Sequence, residues 1–155
     1  MRAVEDWLSE YGESHRHGLN KLAHWICVPL IVFSVIGLLW SIPVPASWRT
    51  VSPLMNFGTL MLAASVLYYC FLSIPLALGM ALFSAAIVAL LSWLDGFATP
   101  LWQIATGIFV VAWIGQFIGH VFEGRRPSFF KDVQYLLIGP LWLLAAVYRS
   151  LRVPY

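Results

Sequence analysis

The chain has 155 residues, of which 61% are hydrophobic, 15% aromatic and only 10% charged, against about 25% charged residues in ordinary soluble domains. That balance argues against a soluble domain and for a small polytopic membrane protein. The net charge of +2 comes with no dense basic block, so nucleic acid is excluded as a partner and the few charges inform by position alone.

Residues 3–17 are polar, with Val4, Trp7, Leu8 and Tyr11 at helical spacing, the pattern of a short amphipathic helix on the membrane surface or capping a bundle. The acidic Glu5, Asp6, Glu10 and Glu13 do not suit a cleavable signal peptide, so the first membrane segment is expected to do its own targeting. Gly18 interrupts, and Asn20 is the expected N-cap of the first membrane helix. Residues 22–42 are apolar apart from His24, Ser34 and Ser41, long enough for the ~20 residues of a bilayer helix. A turn-rich loop with the interfacial Trp48 comes next.

The second span is predicted over 53–72 and the third over 76–94, and the short, uncharged Ser73-Ile74-Pro75 between them forces a hairpin. After a loop at 95–100, the fourth span covers 101–122 and a basic loop covers 125–132. The last apolar run, 133–148, is only about 16 residues and holds Gly139-Pro140 in its middle, which predicts a re-entrant or interfacial helix pair. The fold class is therefore all-α: one integral membrane domain over 1–155, with about four transmembrane helices, an N-terminal surface helix and a C-terminal re-entrant or interfacial element. Cys27 and Cys70 lie in apolar runs without zinc or disulfide spacing and read as small apolar filler.

Orientation is set by the basic residues. Arg2, Arg16 and Lys21 precede the first span, and Arg125, Arg126 and Lys131 come after the fourth. The loops between hold only Arg49, and Arg149 and Arg152 argue against a crossing by the last helix. Both termini are expected in the cytoplasm, in the inner membrane of a bacterium or the endoplasmic reticulum of a eukaryote.

The fourth span ends in Gln116-Phe117-Ile118-Gly119-His120-Val121-Phe122-Glu123, where Gln116, His120 and Glu123 share one helix face. Polar groups at membrane depth are costly and usually functional. The topology puts His15, His17, His24 and His120 at one membrane face, so His24 and His120 become candidate neighbours, and the break at Gly18 lets His15 lean over the entrance of the first span. Imidazoles with a carboxylate suit iron, manganese or zinc, and a mixed nitrogen and oxygen set with open positions is the pattern of non-haem Fe(II) chemistry. Haem b, which needs two histidines, stays open. So does the plain reading of His15, His24 and His120 as packed or surface residues, and for His17 the surface reading is preferred. Gly115 and Gly119 form a small-xxx-small motif expected to pack helices. Lys21, Arg125 and Arg126 set topology first, and around a site they would receive an anionic head group.

Two strings carry a resemblance: Tyr11-x-x-x-His15-x-x-x-x-Asn20-x-x-x-His24-x-x-x-x-Pro29 and Gln116-Phe117-x-Gly119-His120-x-x-Glu123-x-x-x-Pro127. Together they resemble the Mpo-like family of 2-hydroxy fatty acid dioxygenases, over nearly the whole chain and including the Pro140 segment. His17-Gly18 stands where the family has an Asn-Pro or similar pair, which sets His17 apart from the shared histidines. The resemblance implies an Fe(II)-dependent membrane dioxygenase of fatty acid α-oxidation. It would shorten a long-chain 2-hydroxy fatty acid by one carbon with O2, using His15, His24 and His120 as metal ligands. Glu123 would serve as ligand, as orienting partner or as proton carrier, and Gln116 and Asn20 would donate hydrogen bonds that orient the histidines. Lys21, Arg125 and Arg126 would meet the substrate carboxylate, with membrane lipid around the tail. A non-catalytic lipid-binding or scaffold protein and a haem electron-transfer protein are the alternatives, and a homo-oligomer is left open.

Overall fold

The computed structural model describes residues 3–13, 15–124 and 134–155. Arg125 and Arg126, the basic loop they open and the first residue of the predicted C-terminal element lie outside them. The described residues form helices and connecting turns only: α1 (Val4–Glu13), α2 (Gly18–Trp40), α3 (Ala46–Val51), α4 (Phe57–Leu72), α5 (Ile74–Leu94), α6 (Leu101–Glu123) and α7 (Tyr135–Leu151). Helices α2, α5 and α6 are long and apolar enough to cross a membrane. At 16 and 17 residues, α4 and α7 are shorter, about 25 Å each at 1.5 Å per residue.

The body of the bundle is the antiparallel pair α2 and α6, with the α4–α5 hairpin beside it. Small residues let α2 and α6 approach closely. A Cβ on Gly119 would come within 2.7 Å of Ala23 and 2.9 Å of Asn20, and one on Gly115 within 2.7 Å of Cys27. The Gly115-x-x-x-Gly119 motif is thus a backbone-to-backbone seam, which membrane helices need because lipid offers no hydrophobic drive for their association. At the far end of the seam Phe33, Ile36, Leu62, Ile87, Leu91 and Leu101 make an apolar core.

Local signals explain several boundaries. Helix α4 begins behind Asn56, which forms a reciprocal capping box with Thr59, so the helix starts after the Pro53 turn. Ser73 ends α4 and caps α5 at once, leaving no room for a loop. The 43–49 segment expected as loop runs into the one and a half turns of α3. Helix α2 starts at Gly18, and its cap is His17, whose ring accepts from Leu19 N–H. Asn20 is therefore not the cap but sits inside the first turn, completely buried.

A second layer closes the end of the bundle where α2 begins and α6 finishes, the proximal end. Leu8 and Tyr11 of α1 pack with Tyr135, Ile138 and Leu141 of α7 and with Tyr69 and Leu76 of the hairpin. Tyr69 donates to the Leu137 carbonyl at 2.8 Å, and Tyr148 donates to the Pro75 carbonyl at 3.0 Å. Both ends of α7 thus bind within about one turn of the Ser73 hinge, so α7 lies across the bundle end. It runs unbroken through Pro140, a single helix where Gly139-Pro140 suggested a pair. The carbonyl left by the missing Pro140 N–H is tolerable in a packed membrane helix, and Gly139 gives Tyr11 its place, with a Cβ there only 3.0 Å from the phenol oxygen.

Candidate metal centre

Three helix ends meet beneath the α1–α7 layer and deliver one imidazole each. His15 comes just after α1, His24 lies in the second turn of α2 and His120 in the last turn of α6, and they are 1%, 1% and 4% exposed. Ring centroids are 4.1 Å apart for His15 and His24, 5.1 Å for His24 and His120, and 5.3 Å for His15 and His120. One ligand nitrogen from each lies within 4.8 Å of the others. Ligands with bonds of about 2.1 Å stand about 3.4 Å apart around a tetrahedral ion, so a pair at that upper limit would close by roughly 1.4 Å to bind one.

Backbone carbonyls fix two of the tautomers. His15 Nδ1–H donates to the Tyr11 carbonyl at 2.6 Å, and His24 Nδ1–H donates to the Asn20 carbonyl at 2.9 Å. Both rings therefore present the lone pair of Nε2, the arrangement by which proteins prepare histidine for a metal. Tyr11 stacks on His15 at 4.2 Å. Burial, joined by the charges of His120 and Lys21, outweighs the Tyr11 carbonyl and Glu123 and holds the His15 imidazole down at about 4. The ring is then neutral at physiological pH and free to ligate.

His15 Nε2, His120 Nδ1 and Gln116 Oε1 are buried without a hydrogen-bond partner among the described residues. Such atoms cost about 1–3 kcal/mol each and call for an ion or water. A cation held among the three histidines would satisfy the nitrogens, so the residues fit a metal. Beside them lies a cavity of about 50 Å³, walled at its polar end by Tyr11, His24, Gln116 and His120 and at its apolar end by Val28, Ile31, Val32 and Pro140. The Gln116 amide nitrogen is 2.5 Å from His24 Nε2.

Glu123 stands apart from the group. Its Oε1 accepts the Arg16 N–H at 2.9 Å, and its Oε2 accepts the His17 N–H at 2.8 Å and the Asn20 side-chain N–H at 3.0 Å. Both oxygens are thus committed to the α1–α2 junction, and this junction is what aims His15. Asn20 is the buried link between that carboxylate and His24. Lys21 is exposed yet near enough for its charge to act on His15. His17 is exposed on the outside of the junction. Sequence reasoning placed Tyr11 in an apolar stripe and in the motif of the resemblance without giving it a role at the site, although its spacing of four from His15 was the signal that the two share a face.

Fold and site define an α-helical membrane protein with a buried three-histidine centre at one end of its bundle. The chain matches the family described as 2-hydroxy-palmitic acid dioxygenase Mpo1-like over residues 1–151, and it belongs to that family. It is 29% identical over 142 residues to the 2-hydroxy-palmitic acid dioxygenase MPO1 of Saccharomyces cerevisiae, a match that covers 88% of this chain and 75% of the yeast protein. No solved structure matches it.

Proposed function

We propose that the chain is an Fe(II)-dependent dioxygenase of fatty acid α-oxidation, taking a long-chain 2-hydroxy fatty acid and O2 to the fatty acid one carbon shorter. The observation that carries this reading is the convergence of His15, His24 and His120, buried, with two tautomers set for ligation and two nitrogens otherwise unpartnered. Family membership supplies the substrate class. Bound there, iron would act as Lewis acid and template for the 2-hydroxy carboxylate and O2.

The chain's own residues do the rest. Lys21 and, by sequence, Arg125 and Arg126 draw the carboxylate to the proximal end. Val28, Ile31 and Val32 lead away from His24 along α2 into the depth of the bundle, a path for the alkyl tail at about 0.8 kcal/mol per buried CH2. Tyr11 and Trp113 line the cavity together with His24 and Gln116. Glu123 and Asn20 position His15 and His24 and do not touch the reacting atoms. The haem alternative is disfavoured by the rings themselves, because two imidazoles on opposite faces of one porphyrin need centroids about 6 Å apart and His24 and His120 stand at 5.1 Å. By the distribution of Lys and Arg, the proximal end and both termini face the cytoplasm.

The test is elemental analysis of detergent-purified protein beside His120→Ala, and then O2 uptake on adding 2-hydroxypalmitate. Near-stoichiometric iron that the variant loses, with substrate-dependent uptake and a product one carbon shorter, is the expected outcome. Wild-type protein without metal after anaerobic Fe(II) loading would sink the reading.

A further inference from the structure

The site needs an oxygen donor if it is to match the mixed nitrogen and oxygen sets of iron oxygen chemistry, and the only carboxylate close by among the described residues, Glu123, has its oxygens occupied by three N–H donors. Gln116 offers another oxygen. Gln116 is one helical turn before His120, so both project to the same face, and both line the cavity with His24. Gln116 is 5% exposed, its amide nitrogen is 2.5 Å from His24 Nε2, and its Oε1 has no partner among the described residues. The same amide nitrogen is 3.2 Å from His24 Nδ1, so it sits against the side of the ring that carries both nitrogens and not along the Nε2 lone pair. A half-turn about the last side-chain torsion, which is soft and nearly two-fold, exchanges that nitrogen for the oxygen. The turn brings the unpartnered oxygen to the His24 side of the cavity, where it would open to about 3 Å from Nε2 to share an ion with it.

We propose that Gln116, and not Glu123, supplies the oxygen ligand of the metal, through Oε1, beside His15, His24 and His120. This rests on the reading of the three histidines as a metal site. Its consequence is electrostatic. Four neutral ligands leave a divalent ion its full double charge, whereas a carboxylate ligand would cancel one unit. In a buried site an uncompensated charge demands a partner, and an anionic chelate such as a 2-hydroxy carboxylate provides it. The neutral amide thereby selects for an acid over the corresponding alcohol, ester or aldehyde.

The experiment titrates metal-free, detergent-purified protein with Co(II) under argon, reading the visible Co(II) bands, and then adds 2-hydroxypalmitate as the anion, for wild type, Gln116→Leu and Gln116→Glu. Leucine should weaken Co(II) binding at least about tenfold and change the position and intensity of the bands, because a ligand is lost. Glutamate, nearly isosteric and therefore a check on folding, should tighten Co(II) at least about tenfold and weaken 2-hydroxypalmitate by a similar factor. A loss of affinity in the leucine variant with unaltered bands would mean that Gln116 only orients His24, and it overturns the proposal while leaving the metal site intact. Unchanged affinities in both variants overturn it too. No Co(II) bands in wild type overturn the metal reading itself.

Discussion

The two ends of the α2–α6 pair are built on the same backbone seam and filled with opposite chemistry. At the distal end Gly37 sits against Ala105 and Leu91, and Phe33, Ile36 and Leu101 close an apolar core. At the proximal end Gly119 sits against Ala23 and Asn20, but the groups around it are Asn20, His24, Gln116 and His120, all buried. The seam brings the helices together in both places. The distal end uses that proximity for packing, and the proximal end uses it to hold polar atoms without partners among the described residues, an arrangement that lowers stability and is retained where function requires it. Stability and metal binding should therefore be separable along one helix pair.

The largest effect is expected from His24→Ala, which removes a proposed ligand and a buried polar ring together: metal binding and O2 uptake should vanish while helical content and thermal stability in detergent stay near wild type. A collapse of folding would mean that the proximal end is structural after all. Leu91→Ala is the converse. Leu91 is fully buried, and the change should cost about 2 kcal/mol, the low end of the range for such truncations because lipid already solvates apolar atoms. A lower Tm with an unchanged metal Kd is expected, and a shifted Kd would show the two ends to be coupled.

Glu123→Ala sharpens the proximal side. With its three N–H donors released, His15 loses its aim, and metal affinity should fall about 10- to 100-fold, the usual effect of removing an orienting partner. Complete loss of metal by elemental analysis would instead make Glu123 a ligand. The pH dependence of the metal-free protein gives a smaller signal. The His15 imidazole is held at about 4, below the 6.5 of an unperturbed histidine, so the unfolded chain binds the proton first as the pH falls. The stability tied to this neutral ring is intact above about pH 6.5 and is lost as the pH drops towards 4, and a His15→Gln variant should have a flatter Tm profile across that window. The least effect is expected at the Glu5–Arg149 pair, 3.0 Å apart and more than half exposed on both sides. Glu5→Ala should change Tm and Kd within error, because exposed pairs contribute about 0–1 kcal/mol.

Much of this was legible in the residues. Hydrophobic run length marked out the membrane segments and the spacing of Gln116, His120 and Glu123 marked one polar helix face, because both are properties of a local period. The same local reasoning misjudged Asn20 as a cap, since what engages it is Glu123, 103 positions away. It expected a broken helix at Pro140, since what holds α7 across the bundle end is Tyr69 and Tyr148 in contacts with distant carbonyls. Composition and motif spacing by themselves determined an α-helical membrane chain, its candidate histidines and the family it resembles. Only the tertiary structure decided which polar atoms meet: it took Glu123 for the helix junction and turned Gln116 towards His24. Helical periodicity fixes which face a side chain occupies, but the partner on that face comes from another helix, and its approach is set by the packing of the whole bundle.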